Sequence, residues 1–143
     1  MPKVYRLEHR FLKPDRLGIS KHKVIKASPY RVDEAMNSKY YHKKYSMCDE
    51  MASNHAFRDD RPTPSDDGLR FKEGYDICAS PTYDALYDWF EDFMPDFIEL
   101  GFVIREYQVK KRRVGKSGLQ CLFKENDIIS SKIIESKSKS YAF

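Results

Sequence analysis

The chain has 143 residues, 41% hydrophobic and 34% charged with a net charge of +4, a balance that favours one globular domain with its own core. No apolar run approaches the ~20 residues that a membrane-spanning helix needs, and the N-terminus lacks the apolar segment of a signal peptide, so we expect a cytoplasmic protein without membrane contact. The cysteines Cys48, Cys78 and Cys121 form no CxxC pair, which argues against a disulfide framework and a zinc ribbon.

The first predicted strand covers residues 4–9, with Val4 on one face and Tyr5 and Leu7 on the other. From residue 11 to about residue 68 the pattern is that of a long loop, with prolines, a Lys- and Tyr-rich stretch and a closing Asp-Asp-Gly turn. A loop of this length in a small domain is either functional or poorly ordered.

A second strand is predicted over residues 69–79. Its apolar members are Phe71, Tyr75 and Ile77, and Gly74 marks a bulge. The strand leads directly into the helix that follows.

Residues 80–102 form the best-defined element of the sequence, an amphipathic helix. Ser80 is the predicted N-cap and Pro81 the first helical residue, while Pro95 predicts a kink or a break with a second helical piece over 95–100. Gly101 predicts a left-handed cap on which Phe102 packs. The helix carries an apolar face of Leu86, Trp89, Phe90, Phe93, Phe97 and Leu100, and an acidic outer side of Asp84, Asp88, Glu91, Asp92, Asp96 and Glu99.

The C-terminal part predicts a hairpin, with strands over residues 102–109 and 119–123 joined by a glycine-containing turn. The isoleucines of residues 128–134 predict a short helix or an edge strand, and a flexible Lys/Ser tail follows. The predicted fold class is therefore α+β, a mostly antiparallel sheet carrying one principal kinked helix. One domain covers residues 1–127, and residues 128–143 form a short terminal element and the tail.

Charge is distributed unevenly along the chain. No Lys or Arg occurs between residues 73 and 104, whereas the N-terminal third and residues 110–116 are basic. Such a bipolar surface favours charged partners or self-association through opposite patches, although solvated faces have the same composition.

Two basic stretches combine cations with aromatic rings, as single-stranded nucleic acid binding requires. The candidate nucleic-acid or partner-binding residues are Tyr40, Tyr41, Lys43, Lys44, Lys110, Lys111, Arg112 and Arg113. The GKS at 115–117 lacks the upstream glycine of a phosphate loop, and we reject that interpretation. His42, Cys48 and His55 match no standard metal-binding spacing, so no metal site is predicted.

The order of short motifs resembles that of small accessory proteins of tailed bacteriophages. The motifs are YRLEH at 5–9, RPTPSDD at 61–67, ICASP at 77–81, DALYDWF at 84–90, GFVIREYQV at 101–109 and GLQCLF at 118–123. This resemblance implies a protein made in the cytoplasm of an infected cell, and we expect it to bind a host or host-defence component.

A more distant similarity, in the order of strands and helix, is to mono-ADP-ribosyltransferases. It implies that Arg6 grips NAD, that Ser80 occupies the serine-motif position and that Gln120 begins the closing Q/E-x-E element. The catalytic glutamate would fall at residue 122, which is Leu122, unless Glu125 substitutes for it. An NAD-dependent transferase is therefore the alternative to a binding protein without cofactor, and nucleic-acid binding is the second alternative.

Overall fold

The computed structural model describes residues 1–9, 51, 55, 60–72, 75–99 and 101–135, and within these ranges the fold is α+β, as predicted. The described strands are β1 (Lys3–His9), β2 (Asp76–Ala79), β3 (Phe102–Val109), β4 (Arg113–Val114), β5 (Cys121–Lys124) and β6 (Ile128–Glu135). The described helices are α1 (Tyr83–Trp89) and α2 (Met94–Glu99), and a short 3-10 helix covers Glu125–Asp127. Most of the predicted loop between residues 11 and 68 lies outside these ranges.

The strands form two antiparallel sheets of three strands each, rather than the single sheet predicted. Sheet A has the order β1-β3-β6 and sheet B the order β2-β5-β4. A single bridge joins the sheets, in which the Tyr5 amide donates to the Ser80 carbonyl at 2.8 Å and the Ser80 amide donates to the Tyr5 carbonyl at 2.9 Å.

Sheet A lies between two other layers. On one face Leu7, Phe102 and Ile104 pack with side chains of α1 and α2, and on the other face Val4 and Tyr107 pack with side chains of sheet B. Because both faces of sheet A are covered, six of the eight residues of β3 are buried. The helices and sheet B therefore lie on opposite sides of sheet A.

The helical region begins two residues later than predicted. Thr82 is the N-cap, since its hydroxyl accepts a hydrogen bond from the Ala85 amide at 3.0 Å, and neither Ser80 nor Pro81 belongs to the helix. Ser80 was the wrong choice because its backbone is paired with Tyr5.

The predicted break occurs just before Pro95. Helix α1 ends at Trp89 and α2 begins at Met94, so Pro95 lies in the first turn of α2, where its missing N–H costs nothing. Gly101 adopts the predicted left-handed conformation with φ 103, and the rings of Phe102 and Phe97 lie 5.1 Å apart.

The second predicted strand is shorter in the structure. The amides of Tyr75 and Asp76 donate to the Lys72 carbonyl, and the Lys72 amide donates to Asp76 Oδ2 at 2.8 Å, so Lys72 lies against Tyr75 and Asp76, and the strand begins only at Asp76. Phe71 and Tyr75 are consequently exposed rather than in the core, and Gly74 lies outside the described residues.

The predicted hairpin between residues 102–109 and 119–123 is also wrong. Strand β3 pairs with β1 and β6, which occupy both of its edges, and β5 pairs instead with β2 and with the two-residue strand β4. Residues 128–135 form the edge strand that was one of the two predictions for this segment.

The segment over residues 61–68, which contains RPTPSDD, connects the helices to the β4–β5 turn. The Arg61 guanidinium donates to the carbonyls of Trp89 at 2.9 Å and Asp88 at 2.5 Å, where α1 leaves carbonyls without helical partners. The buried Asp67 carboxylate accepts hydrogen bonds from the Ser117 amide at 2.6 Å and the Ser117 hydroxyl at 2.7 Å.

Gly115 should not tolerate a side chain. A Cβ there would lie 2.1 Å from Asp67 Oδ2, so Gly115→Ala must displace the carboxylate from its donors and should lower the free energy of unfolding by about 3 kcal/mol in urea denaturation. At Gly118 a Cβ meets no atom within 4 Å, and Gly118→Ala should cost only the strain of its positive φ, about 1 kcal/mol. Equal losses in the two variants would contradict the role of Asp67.

Candidate functional site

A cluster of ionised and hydrogen-bonding side chains is buried between the two sheets. Glu8 accepts from Arg6 Nη1 at 3.0 Å, from Arg105 Nε at 3.0 Å and from the Tyr107 hydroxyl at 2.6 Å. The cluster follows from strand geometry, because Arg6 and Glu8 share one face of β1 and Arg6 is paired directly with Arg105 of β3.

Burial and charge act against each other at Glu8. Burial raises the pKa of the Glu8 carboxyl, whereas the charge of Arg6, the hydrogen bond from Tyr107 and the charge of Arg105 oppose that shift. Burial and the nearby Glu8 raise the pKa of Tyr107, so its hydroxyl stays protonated as a donor. Burial is the larger effect, so the pKa of Glu8 is raised overall, while the two adjacent guanidinium groups favour its charged form.

The cluster also ties separate strands together. Arg6 Nε donates to the Cys78 carbonyl of β2 at 3.1 Å, and Arg105 Nη1 donates to the Ser131 hydroxyl of β6 at 3.2 Å. The Arg6–Glu8 pair is thus part of the packing between the sheets.

The proposed transferase residues are brought together only in part. The Tyr5–Ser80 bridge places Ser80 beside β1, the strand that carries Arg6. The pairing of Ala79 with Cys121 places Ser80 beside Gln120. The side chain of Gln120 is buried and donates to Asp67 Oδ2 at 3.0 Å and to the Pro62 carbonyl at 2.8 Å.

Glu125 follows β5 and therefore lies at the opposite end of that strand from Gln120. Leu122 is fully buried. Arg6 and Gln120 are both buried and hydrogen-bonded to other interior groups. The transferase assignment stays a prediction that NAD binding would test.

The predicted basic residues divide into three groups. Tyr40, Tyr41, Lys43 and Lys44 lie outside the described residues, and Lys110 and Lys111 are exposed. Arg112 and Arg113 have structural contacts: Arg112 Nη1 donates to the carbonyls of Lys3 and Pro81, the latter at 2.7 Å, and Arg113 forms an ion pair with Asp76. Sequence reasoning could not separate these arginines from the exposed lysines.

A surface that sequence reasoning missed lies around Asp76 on the outer side of sheet B. We call it the aromatic–basic surface and define it as Arg70, Phe71, Lys72, Tyr75 and Lys124. The Lys72 amide and the Arg113 guanidinium both contact Asp76, and Lys124 is the cross-strand neighbour of Asp76. The Lys72 ammonium lies 4.3 Å from the centroid of the Tyr75 ring.

The acidic side chains of the helices are exposed on the other side of the molecule. They are Asp84, Asp88, Glu91, Asp92, Asp96 and Glu99. Because sheet A separates the helices from sheet B, the described residues present an acidic side and an opposite aromatic–basic side. The basic N-terminal third, on which the bipolar surface expected from the sequence partly depends, lies outside the described residues.

Comparison with known protein families identifies the family of the chain, which the geometry of the described residues does not. Residues 1–137 match the family described as bacteriophage T4 Y00F protein. The chain belongs to the bacteriophage T4 Y00F protein family. The resemblance to phage proteins is thereby confirmed, and the match extends past the quoted motifs into β6. No curated protein and no solved structure matches the chain, and nothing in the comparisons supports the transferase similarity.

In this Y00F family chain His55 packs among aromatic rings. Its ring centroid lies 6.2 Å from that of Trp89 and 5.9 Å from that of Phe90. Within the described ranges, no group of three or more His, Cys, Asp or Glu side chains is arranged to hold a metal ion, and none of the helices is long and apolar enough to cross a bilayer.

Breaking the buried cluster should be costly. Glu8→Gln keeps the shape of the side chain but removes the carboxylate charge that forms ion pairs with both Arg6 and Arg105, so we expect a loss of about 3–5 kcal/mol in the free energy of unfolding, measured in urea. The exposed Glu91→Gln is the matched control and should change stability by less than about 0.5 kcal/mol. A small effect at Glu8 would show that the cluster is not a structural centre.

The cysteines of this Y00F family chain should differ in reactivity. Burial raises the pKa of Cys121 to about 12, so at pH 8 only about one thiol in ten thousand is the reactive thiolate, whereas Cys78 is exposed. Iodoacetamide should modify Cys78 and spare Cys121 in the native protein. Peptide mapping by mass spectrometry measures the modification of each cysteine, so that of Cys48 is quantified separately. Rapid modification of Cys121 without denaturant would contradict its burial.

Proposed function

We propose that this phage protein acts in the infected cell by binding a host or host-defence protein through the aromatic–basic surface. The observation that carries the proposal is the exposure of two neighbouring aromatic side chains, Phe71 at 42% and Tyr75 at 52%. Aromatic and arginine side chains supply most of the energy at protein interfaces, and a Phe left in water forgoes the gain of burial.

The backbone that carries these rings is held at several points. Arg113 Nη1 donates to the Arg70 carbonyl at 3.1 Å, and Asp76 accepts from the Lys72 amide. Residues on a fixed backbone lose less conformational entropy on binding than residues on a free loop. Phe71 and Tyr75 therefore adjoin backbone groups of Arg70, Lys72 and Asp76 that are fixed by hydrogen bonds.

The positive charge of the aromatic–basic surface indicates that its partner is acidic. Arg70, Lys72 and Lys124 are exposed cations, and Asp76, the buried carboxylate among them, is paired with Arg113. The surface fits a protein with acidic groups around an apolar pocket, and the acidic helices on the far side would repel the same partner.

Single-stranded nucleic acid is the second candidate for the same surface. The Lys72 ammonium covers one face of the Tyr75 ring, so a cation that pairs with phosphates adjoins an exposed ring, and rings and cations together are what such binding requires. Binding of nucleic acid weakens strongly as the salt concentration rises and can be measured with an oligonucleotide alone. A variant without the two rings and a matched control therefore distinguish the two candidates.

Phe71→Ala/Tyr75→Ala removes both rings without changing charge. If a host protein binds here, affinity for the captured and purified partner should fall at least about 30-fold, as loss of one interface hot spot implies, in a titration by calorimetry. Tyr87→Ala, which removes a ring that is 36% exposed on the acidic helix α1, is the matched control and should bind like the unmodified protein.

A labelled oligothymidine titrated by fluorescence anisotropy tests the nucleic-acid candidate. Salt-dependent binding that weakens in Phe71→Ala/Tyr75→Ala would favour nucleic acid over a protein partner. Host-protein binding that is equal in the ring variant and the control, together with absence of oligonucleotide binding, would remove the surface from both proposals.

A further inference from the structure

A second group of cations lies at the end of sheet A where β1 begins and β3 ends. We call it the basic end and define it as Lys3, Lys110, Lys111 and Lys132, all of which are exposed. The basic end shares no residue with the aromatic–basic surface, so the two surfaces can be tested independently.

Two of these lysines come from the outer strands of sheet A and meet at the central strand. The Lys3 ammonium lies 3.6 Å and the Lys132 ammonium 3.7 Å from Oε1 of Glu106, whose side chain is only 13% exposed. The Tyr5 hydroxyl donates to Oε2 of the same carboxylate at 2.9 Å. One half-buried carboxylate thus brings two exposed ammonium groups together and leaves a positive charge in excess.

The other two lysines lie in the connection between β3 and β4, which is held against the same end of the sheet. The Lys110 amide donates to the Asp127 carbonyl at 2.8 Å, and Arg112 Nη1 donates to the Lys3 carbonyl. The backbone that carries Lys110 and Lys111 is therefore fixed next to the start of β1. Their side chains stay exposed, and Asp127, which adjoins them, is half-buried.

The residue types at the basic end indicate a polyanion rather than an acidic protein. Protein interfaces are enriched in arginine and aromatic residues and depleted in lysine, whereas the basic end is defined by four lysines. A lysine ammonium acts on phosphate as a point charge, without the planar recognition that arginine provides. Binding here would therefore depend on the charge density of the ligand.

The same residue types indicate a duplex rather than a single strand. Single strands are bound by cations together with exposed rings on which the bases stack. The ring beside the basic end, that of Tyr5, is half-buried, and its hydroxyl is bonded to Glu106. A duplex keeps its bases stacked and presents its phosphates outward, so it requires cations alone.

We infer that the basic end binds the phosphate backbone of duplex nucleic acid without reading its sequence. Duplex DNA carries one negative charge per about 1.7 Å of its axis, and each phosphate that a lysine neutralises releases condensed counterions. This contact is a further activity of the chain and does not depend on the aromatic–basic surface.

A labelled DNA duplex titrated by fluorescence anisotropy at several salt concentrations tests the inference. Four phosphate contacts predict that affinity falls about 100-fold between about 50 and 200 mM salt. Lys110→Gln/Lys111→Gln leaves two contacts, so the fall should shrink to about tenfold. The circular dichroism spectrum should not change, because both side chains are exposed.

Lys116→Gln is the matched control for Lys111→Gln, since each removes one exposed lysine and Lys116 lies in the β4–β5 turn outside the basic end. Lys111→Gln should lower the slope of log affinity against log salt by about one, and Lys116→Gln should leave it unchanged. Absence of duplex binding at about 50 mM salt, or equal slopes in these two variants, would overturn the inference.

Two further measurements separate this surface from the others. Phe71→Ala/Tyr75→Ala should bind the duplex like the unmodified protein, whether or not a host protein binds the aromatic–basic surface. Capture of an acidic host protein that is lost in Lys110→Gln/Lys111→Gln, without binding of the duplex, would assign the basic end to a protein partner and overturn the inference.

Discussion

The burial of Glu8 between two arginines is the interaction on which the rest of the structure depends. A carboxylate in this position is tolerated only if every donor around it is in place, since an unpaired buried charge is far more costly than a paired one. Its donors come from β1 and β3, and the arginines continue to a β2 carbonyl and to Ser131 of β6. One carboxylate thus fixes the relative positions of four strands in two sheets.

The same constraint determines what the interior contains. The space between the sheets is filled by the ion cluster and by apolar side chains, and Gln120 and Asp67, which are polar and buried, are hydrogen-bonded to each other. The exposed rings of Phe71 and Tyr75, by contrast, adjoin Lys72 and Asp76, which are hydrogen-bonded to each other at the start of β2. A scaffold with a rigid polar interior and presented surface rings is suited to recognition, where the interior needs only to hold the surface in shape.

Sequence periodicity predicted the features that depend on residues close together in the chain. The apolar face of the helical region, the cap at Gly101 and the shared face of Arg6 and Glu8 all follow from spacing along a single element. Periodicity gave wrong predictions where two segments have similar local sequences and a contact with another part of the chain decides between them. Ser80 and Thr82 are equally good caps by sequence, and the pairing of Ser80 with Tyr5 decides between them. Phe71 and Tyr75 are spaced like strand residues, but the Lys72 amide donates to Asp76 and both rings are exposed. Contacts between residues far apart in the chain leave no periodic signal.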